Sequence, residues 1–184
     1  PALAIVLGTE GRVSFPNERK LDLRDKALGY GILLLGLYLL LLVARYWYAD
    51  FLFAKAKGFN DDDDPVKARN ELVRAITISP QEAIFWDELA QSDTLIAVAL
   101  NEADETKKAE EFAQIAINES QTAVTLSLKN VNLKRSRANI FLKLAALDQV
   151  YLERARDTLL EALTLAPTDA KLYYNLGLTY LRMG

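Results

Sequence analysis

The polar and apolar positions of this chain divide it into an apolar front and a punctuated, amphipathic remainder. The run ALGYGILLLGLYLLLLVA, Ala27 to Ala44, carries no charge over eighteen residues. As helix it is about 27 Å long, close to the hydrocarbon thickness of a bilayer. It lacks the polar stripe of a core helix, so the pattern predicts a transmembrane span. Lys26 and Arg45 bracket it, and Tyr46, Trp47 and Tyr48 follow at once. Rings with an apolar body and a polar tip suit a lipid–water interface, so these five residues are the expected membrane-interface set. No small-residue cleavage site follows, which argues against a signal peptide.

Before the span, Pro1 to Gly8 is apolar but too short to cross a membrane. It reads as the tail of an earlier span in a larger protein, with Thr9 to Lys26 as the connecting loop. The expected organisation is therefore residues 1–26 as tail and loop, 27–45 as transmembrane helix and 46–184 as a helical domain. The loop holds Arg12, Arg19, Lys20, Arg24 and Lys26, against Arg45, Lys55 and Lys57 on the other flank. That excess puts the loop in the cytoplasm and the C-terminal domain outside it.

Beyond the span the pattern changes to amphipathic helices stopped by proline. ARNELVRAITISP, Ala68 to Pro80, and ARDTLLEALTLAP, Ala155 to Pro167, share Ala, a large aliphatic, Ala, an aliphatic and Pro at the same offsets. The first three offsets lie on one helix face, where small residues let a neighbouring helix approach closely. The proline then bars continuation. After each proline a second pattern begins: Trp86, Leu89 and Ala90 in one copy, and Tyr173, Leu176, Gly177 and Tyr180 in the other. Trp86 and Tyr173 are expected in the core. With no sustained alternating run bounded by hairpin turns, the predicted class is all-α.

These positions resemble the tetratricopeptide repeat, in which pairs of antiparallel helices stack into a solenoid. A third copy keeps Ala116, Ser120, Ala123 and Leu126 but has Leu128 in place of the proline. Equivalent alanines are then 48 residues apart (Ala68 to Ala116) and 39 apart (Ala116 to Ala155), against the family's 34. The helices around Ile84 to Leu100 and Lys107 to Leu128 must therefore be longer than usual. Extending the register backwards makes Leu52, Ala56 and Phe59 the first helix of the first hairpin. No breaker separates them from the span, so one helix is expected from about Asp25 to about Gly58. The resemblance covers Leu52 to Gly184 and makes the closing helix the first half of another hairpin, with more repeats or a partner surface to follow.

Composition narrows the chemistry. With no Cys and no His, disulfides, thiol nucleophiles, the commonest general base and the commonest transition-metal ligand are all missing. A net charge of −3 with dispersed basic residues argues against nucleic acid as a partner. The run NDDDDPVKA, Asn60 to Ala68, lacks the alternating ligands and distal Glu of a calcium loop. Asp64 as N-cap before Pro65 accounts for it. Glu110 to Phe112 and the nearby acids read as a solvated helix end. No catalytic residue, metal site or cofactor is expected.

KNVNLKRSR, Lys129 to Arg137, is the densest basic cluster, and reads either as a solvated face or as part of a binding groove. The repeat resemblance implies that groove positions hold Asn132, Arg135, Asn139 and Lys143 in one repeat, and Lys171, Tyr174, Leu178 and Arg182 in the last. Such a groove suits a carboxylate-bearing peptide or an anionic glycan. A last span running into RYWYADFLFAKA and then into such hairpins also resembles the C-terminal end of bacterial O-antigen ligase or polymerase-like membrane proteins. That resemblance implies a polytopic envelope protein whose catalytic loops lie upstream, with this module as an interaction or assembly platform, or as an accessory positioning an acceptor.

Overall fold

The computed structural model describes residues 22–184. The apolar opening Pro1–Gly8 and the loop residues Arg12, Arg19 and Lys20 lie outside the described residues. Seven α-helices and no strand occur among the described residues: α1 (Leu23–Asp61), α2 (Pro65–Ile78), α3 (Ala83–Glu102), α4 (Thr106–Leu126), α5 (Val131–Leu144), α6 (Val150–Leu165) and α7 (Ala170–Met183). The chain forms two units, Pro1–Leu42 and Val43–Gly184.

In the first unit, the described residues belong to the start of α1. Leu28, Tyr30, Ile32 and Leu33 through Leu35 are all exposed. The helix is long and apolar enough to cross a membrane, and none of its most apolar window is buried against protein.

The second unit is a stack of helical hairpins. Ala49, Leu52 and Ala56 of α1 meet Ala68, Leu72, Ala75 and Ile76 of α2, with Phe85 and Leu89 of α3 closing the cluster. Ala68, Leu72 and Ala75 are fully buried, as are Ala155, Leu159 and Ala162 of α6 and Ala116 and Ala123 of α4. Small residues at these crossings bring backbones together, and the leucine between them fills the gap that results. α3 runs for 20 residues and α4 for 21, against 14 in α2, which accounts for the stretched repeat spacing.

Helix ends follow local chemistry. Asp64 Oδ1 accepts from Lys67 N at 3.1 Å with Pro65 in the first turn of α2. Asn130 and Asp169 cap α5 and α7 in the same manner, accepting from Asn132 N and Lys171 N. At the far end of α2, Arg45 Nη2 and Nε donate to Ile78 O at 2.6 and 3.1 Å. Arg45, expected at a membrane interface, is thus spent on the terminal carbonyl of its neighbour. Tyr48 Oη accepts from Arg74 Nη2 at 3.1 Å, while Tyr46 and Trp47 stay exposed.

The expectation of core holds in part for Trp86, which packs against the core while half-buried, and is corrected for Tyr173. Phe85 and Leu172, one residue earlier, are the buried side chains. Trp86 is half-buried, with Nε1 donating to Pro80 O at 2.9 Å. Tyr173 is 54% exposed, with Oη donating to Pro167 O at 2.9 Å. Both rings reach back six residues to the proline that stopped the preceding helix. A ring with a polar tip costs more to bury than Phe or Leu unless that tip is bonded, so the wholly apolar neighbour goes inside. Gly177, expected at a tight crossing, has nothing within 4 Å of where a Cβ would stand.

Candidate binding groove

The first helices of successive hairpins line one face of the second unit. α3 contributes Gln91, Leu95 and Val98, α5 contributes Ser136, Asn139 and Lys143, and α7 contributes Leu178 and Arg182. These residues follow one another at three- and four-residue steps, the spacing that keeps side chains on one face of a helix. Ile140 and Leu142 of α5, Ala145 and Ala146 of the following turn, and Leu152 of α6 complete a hollow of about 810 Å³. The volume falls in the range of a formed ligand site. Asn101 Nδ2 donates to Ala146 O at 3.4 Å, tying the turn to the end of α3.

The floor is mostly aliphatic and the charge is of one sign. Lys143 and Arg182 line the hollow and no carboxylate does. Neither cation has an ion-pair partner among the described residues. Arg182 is held at the edge by Nη1 donating to Leu142 O at 3.1 Å, which leaves its remaining N–H groups free to meet an anion. On α3 itself, burial pushes the Asp87 carboxyl up to about 6, a hydrogen bond from Ser136 opposes it, the Glu88 charge adds to it and a hydrogen bond from Gln91 opposes it.

Of the groove residues expected from sequence, Asn139, Lys143, Leu178 and Arg182 converge on this hollow. Asn132, Arg135, Lys171 and Tyr174 do not line it. Arg135 Nη1 stands 3.5 Å from Asp169 and Nη2 donates to Asn132 Oδ1 at 2.7 Å. Tyr174 is 72% exposed. Two other basic residues of that cluster, Lys134 and Arg137, are stitches between helices. Lys134, only 4% exposed, pairs with Glu161 of α6. Arg137 donates to Ile117 O and Ser120 Oγ of α4 and lies over the Phe141 ring. Leu95 and Val98 were missed in the sequence because the lengthened α3 breaks the family's spacing there; Gln149, just before α6, also lines the hollow and was not expected.

Comparison with known proteins fits this architecture. Residues 151–184 match the model of the TPR repeat, that is, the tetratricopeptide repeat. No curated protein matches the chain. Among solved structures, the first TPR of Spaghetti (RPAP3) bound to the HSP90 peptide SRMEEVD is similar, at 14% identity and TM-score 0.54, over 74% of this chain and 96% of that one. The Arabidopsis OM64 TPR domain is similar at 16% identity and TM-score 0.57, over 75% and 98%. The Yersinia enterocolitica type III secretion chaperone SycD, in complex with a peptide of the translocator YopD, is similar at 13% identity and TM-score 0.52, over 73% and 94%. Among the described residues the fold is therefore all-α and TPR-like, and two of these similar structures hold a peptide. None of the comparisons supports the O-antigen ligase-like resemblance.

Proposed function

We propose that this chain is a protein-interaction module whose groove holds an extended peptide segment, and that Ala27–Ala44 anchors the module in a membrane. The observation carrying the first part is the hollow itself: an aliphatic floor beside two unneutralised cations. Such a lining favours a ligand with an apolar side chain next to a carboxylate. The aliphatic patch of Leu95, Val98, Leu142 and Leu178 seats an apolar side chain, which a peptide carries and an anionic glycan does not. The second part rests on the exposed aliphatic surface of α1.

In the same proposal the module sits at the C-terminal end of a polytopic bacterial envelope protein and positions a partner or acceptor rather than catalysing a reaction. The encoded sequence preceding Pro1 tests this. Several further spans with a large intervening loop support it, and an initiator Met immediately before Pro1 contradicts it. The groove is tested with an array of octapeptides probed by the full chain. Retained peptides are expected to pair an aliphatic residue with a nearby acidic one. A retained set indifferent to both features contradicts the reading.

A further inference from the structure

Away from the groove, three helices bury more negative than positive charge at one point. Asp93 of α3 has a side chain with no exposed surface, and Arg69 Nε of α2 donates to its Oδ1 at 2.7 Å. Asp93 Oδ2 is buried without a partner, and so is Glu119 Oε2 of α4. The Glu119 carboxyl lies within hydrogen-bonding reach of Asp93. The charged groups acting on the pair are Arg69 from α2, Asp93 from α3 and Glu119 from α4. Phe112 of α4 faces the Arg69 guanidinium, with its ring centre 5.8 Å away. From α5, Arg137 reaches Ile117 O and Ser120 Oγ next to Glu119 and is occupied there.

Two carboxylates cannot both stay ionised in a dry site against one guanidinium, because burial and mutual repulsion both penalise the second charge. One proton placed between the facing oxygens removes that charge and satisfies both orphan atoms at once. We propose that Asp93 and Glu119 share a single proton, so that the packing of α3 on α4 within the second hairpin is held by a proton and loosens when it leaves. The proton resides on Glu119 and is donated to Asp93 Oδ2, while Asp93 Oδ1 remains bound to Arg69. Burial, then the Asp93 charge, push the Glu119 carboxyl up to about 9.

The direction of the pH effect follows. The folded state holds this proton more tightly than the unfolded chain, where Glu119 titrates near its ordinary 4.5. The stabilisation it brings is complete below that value and is lost as pH rises towards about 9. The test is the ¹³C side-chain carboxyl resonance of Glu119 in the full chain in detergent, assigned by its disappearance in E119Q. A midpoint near 9 is expected, and a midpoint near 4.5 overturns the proposal. In parallel, Tm of the wild type is expected to fall between pH 5 and pH 9 more steeply than that of E119Q, in which the amide donates permanently. Parallel curves overturn it. If E119Q does not fold, the resonance is assigned through the wild-type backbone instead, so the titration needs only wild-type protein to fold.

Discussion

Lys134, Arg135 and Arg137 are near neighbours in sequence yet answer to three different partners, Glu161, Asp169 and the Ile117–Ser120 turn of α4. A charge run reads in sequence as a solvated face, since charged side chains are seldom buried. Lys134 departs from this because its aliphatic stem packs inside while its ammonium reaches Glu161. Lys134→Met, which keeps the stem and removes the charge, is expected within about 1 kcal/mol of wild type in urea unfolding, and Lys134→Ala to cost about 2 kcal/mol. At α2 the acidic run has a local role: Asp64 caps the helix, and hydrogen bonding from Lys67 holds its carboxyl below the usual range. Asp64→Ala is expected to lower the urea midpoint, measured the same way.

Between residues and the whole, the helices show what a sequence pattern can carry. Ala–Leu–Ala faces on α2 and α6 were legible because a close crossing demands small residues at fixed steps, whatever surrounds them. The caps at Asp64, Asn130 and Asp169 follow equally local rules. What stayed illegible depends on neighbours distant in sequence. Whether Phe85 or Trp86 turns inward depends on Pro80 O being in reach, and whether Arg135 is free depends on Asp169. Half of the expected groove therefore fell outside the hollow, and the contribution of α3 to it went unseen. Gly177 offers a further test at this scale. Nothing occupies the space a methyl group would take, so Gly177→Ala is expected to stabilise α7 by about 0.5–1 kcal/mol through lost backbone freedom in the unfolded chain. A destabilising result would mean that another helix packs there.

Across the whole molecule, an exposed aliphatic helix segment and a hairpin stack with a one-sign hollow occupy the same chain. The proposed topology puts the stack outside the cytoplasm, and the absence of cysteine makes this simple to check. Asp62→Cys, in the exposed turn after α1, is expected to react with an impermeant maleimide in intact cells; reaction only after lysis contradicts that topology. The central claim is that a peptide carboxylate meets Lys143 and Arg182 above an aliphatic floor, and a charge swap tests it most directly. Take an octapeptide selected by the wild-type chain and its counterpart with Lys in place of the acidic residue, and measure both against wild type, the K143E/R182E variant and R135E. The account predicts at least a roughly tenfold loss for the acidic peptide in K143E/R182E, recovery with the Lys peptide, and little change in R135E. Undiminished binding to K143E/R182E, or loss in R135E instead, would contradict it.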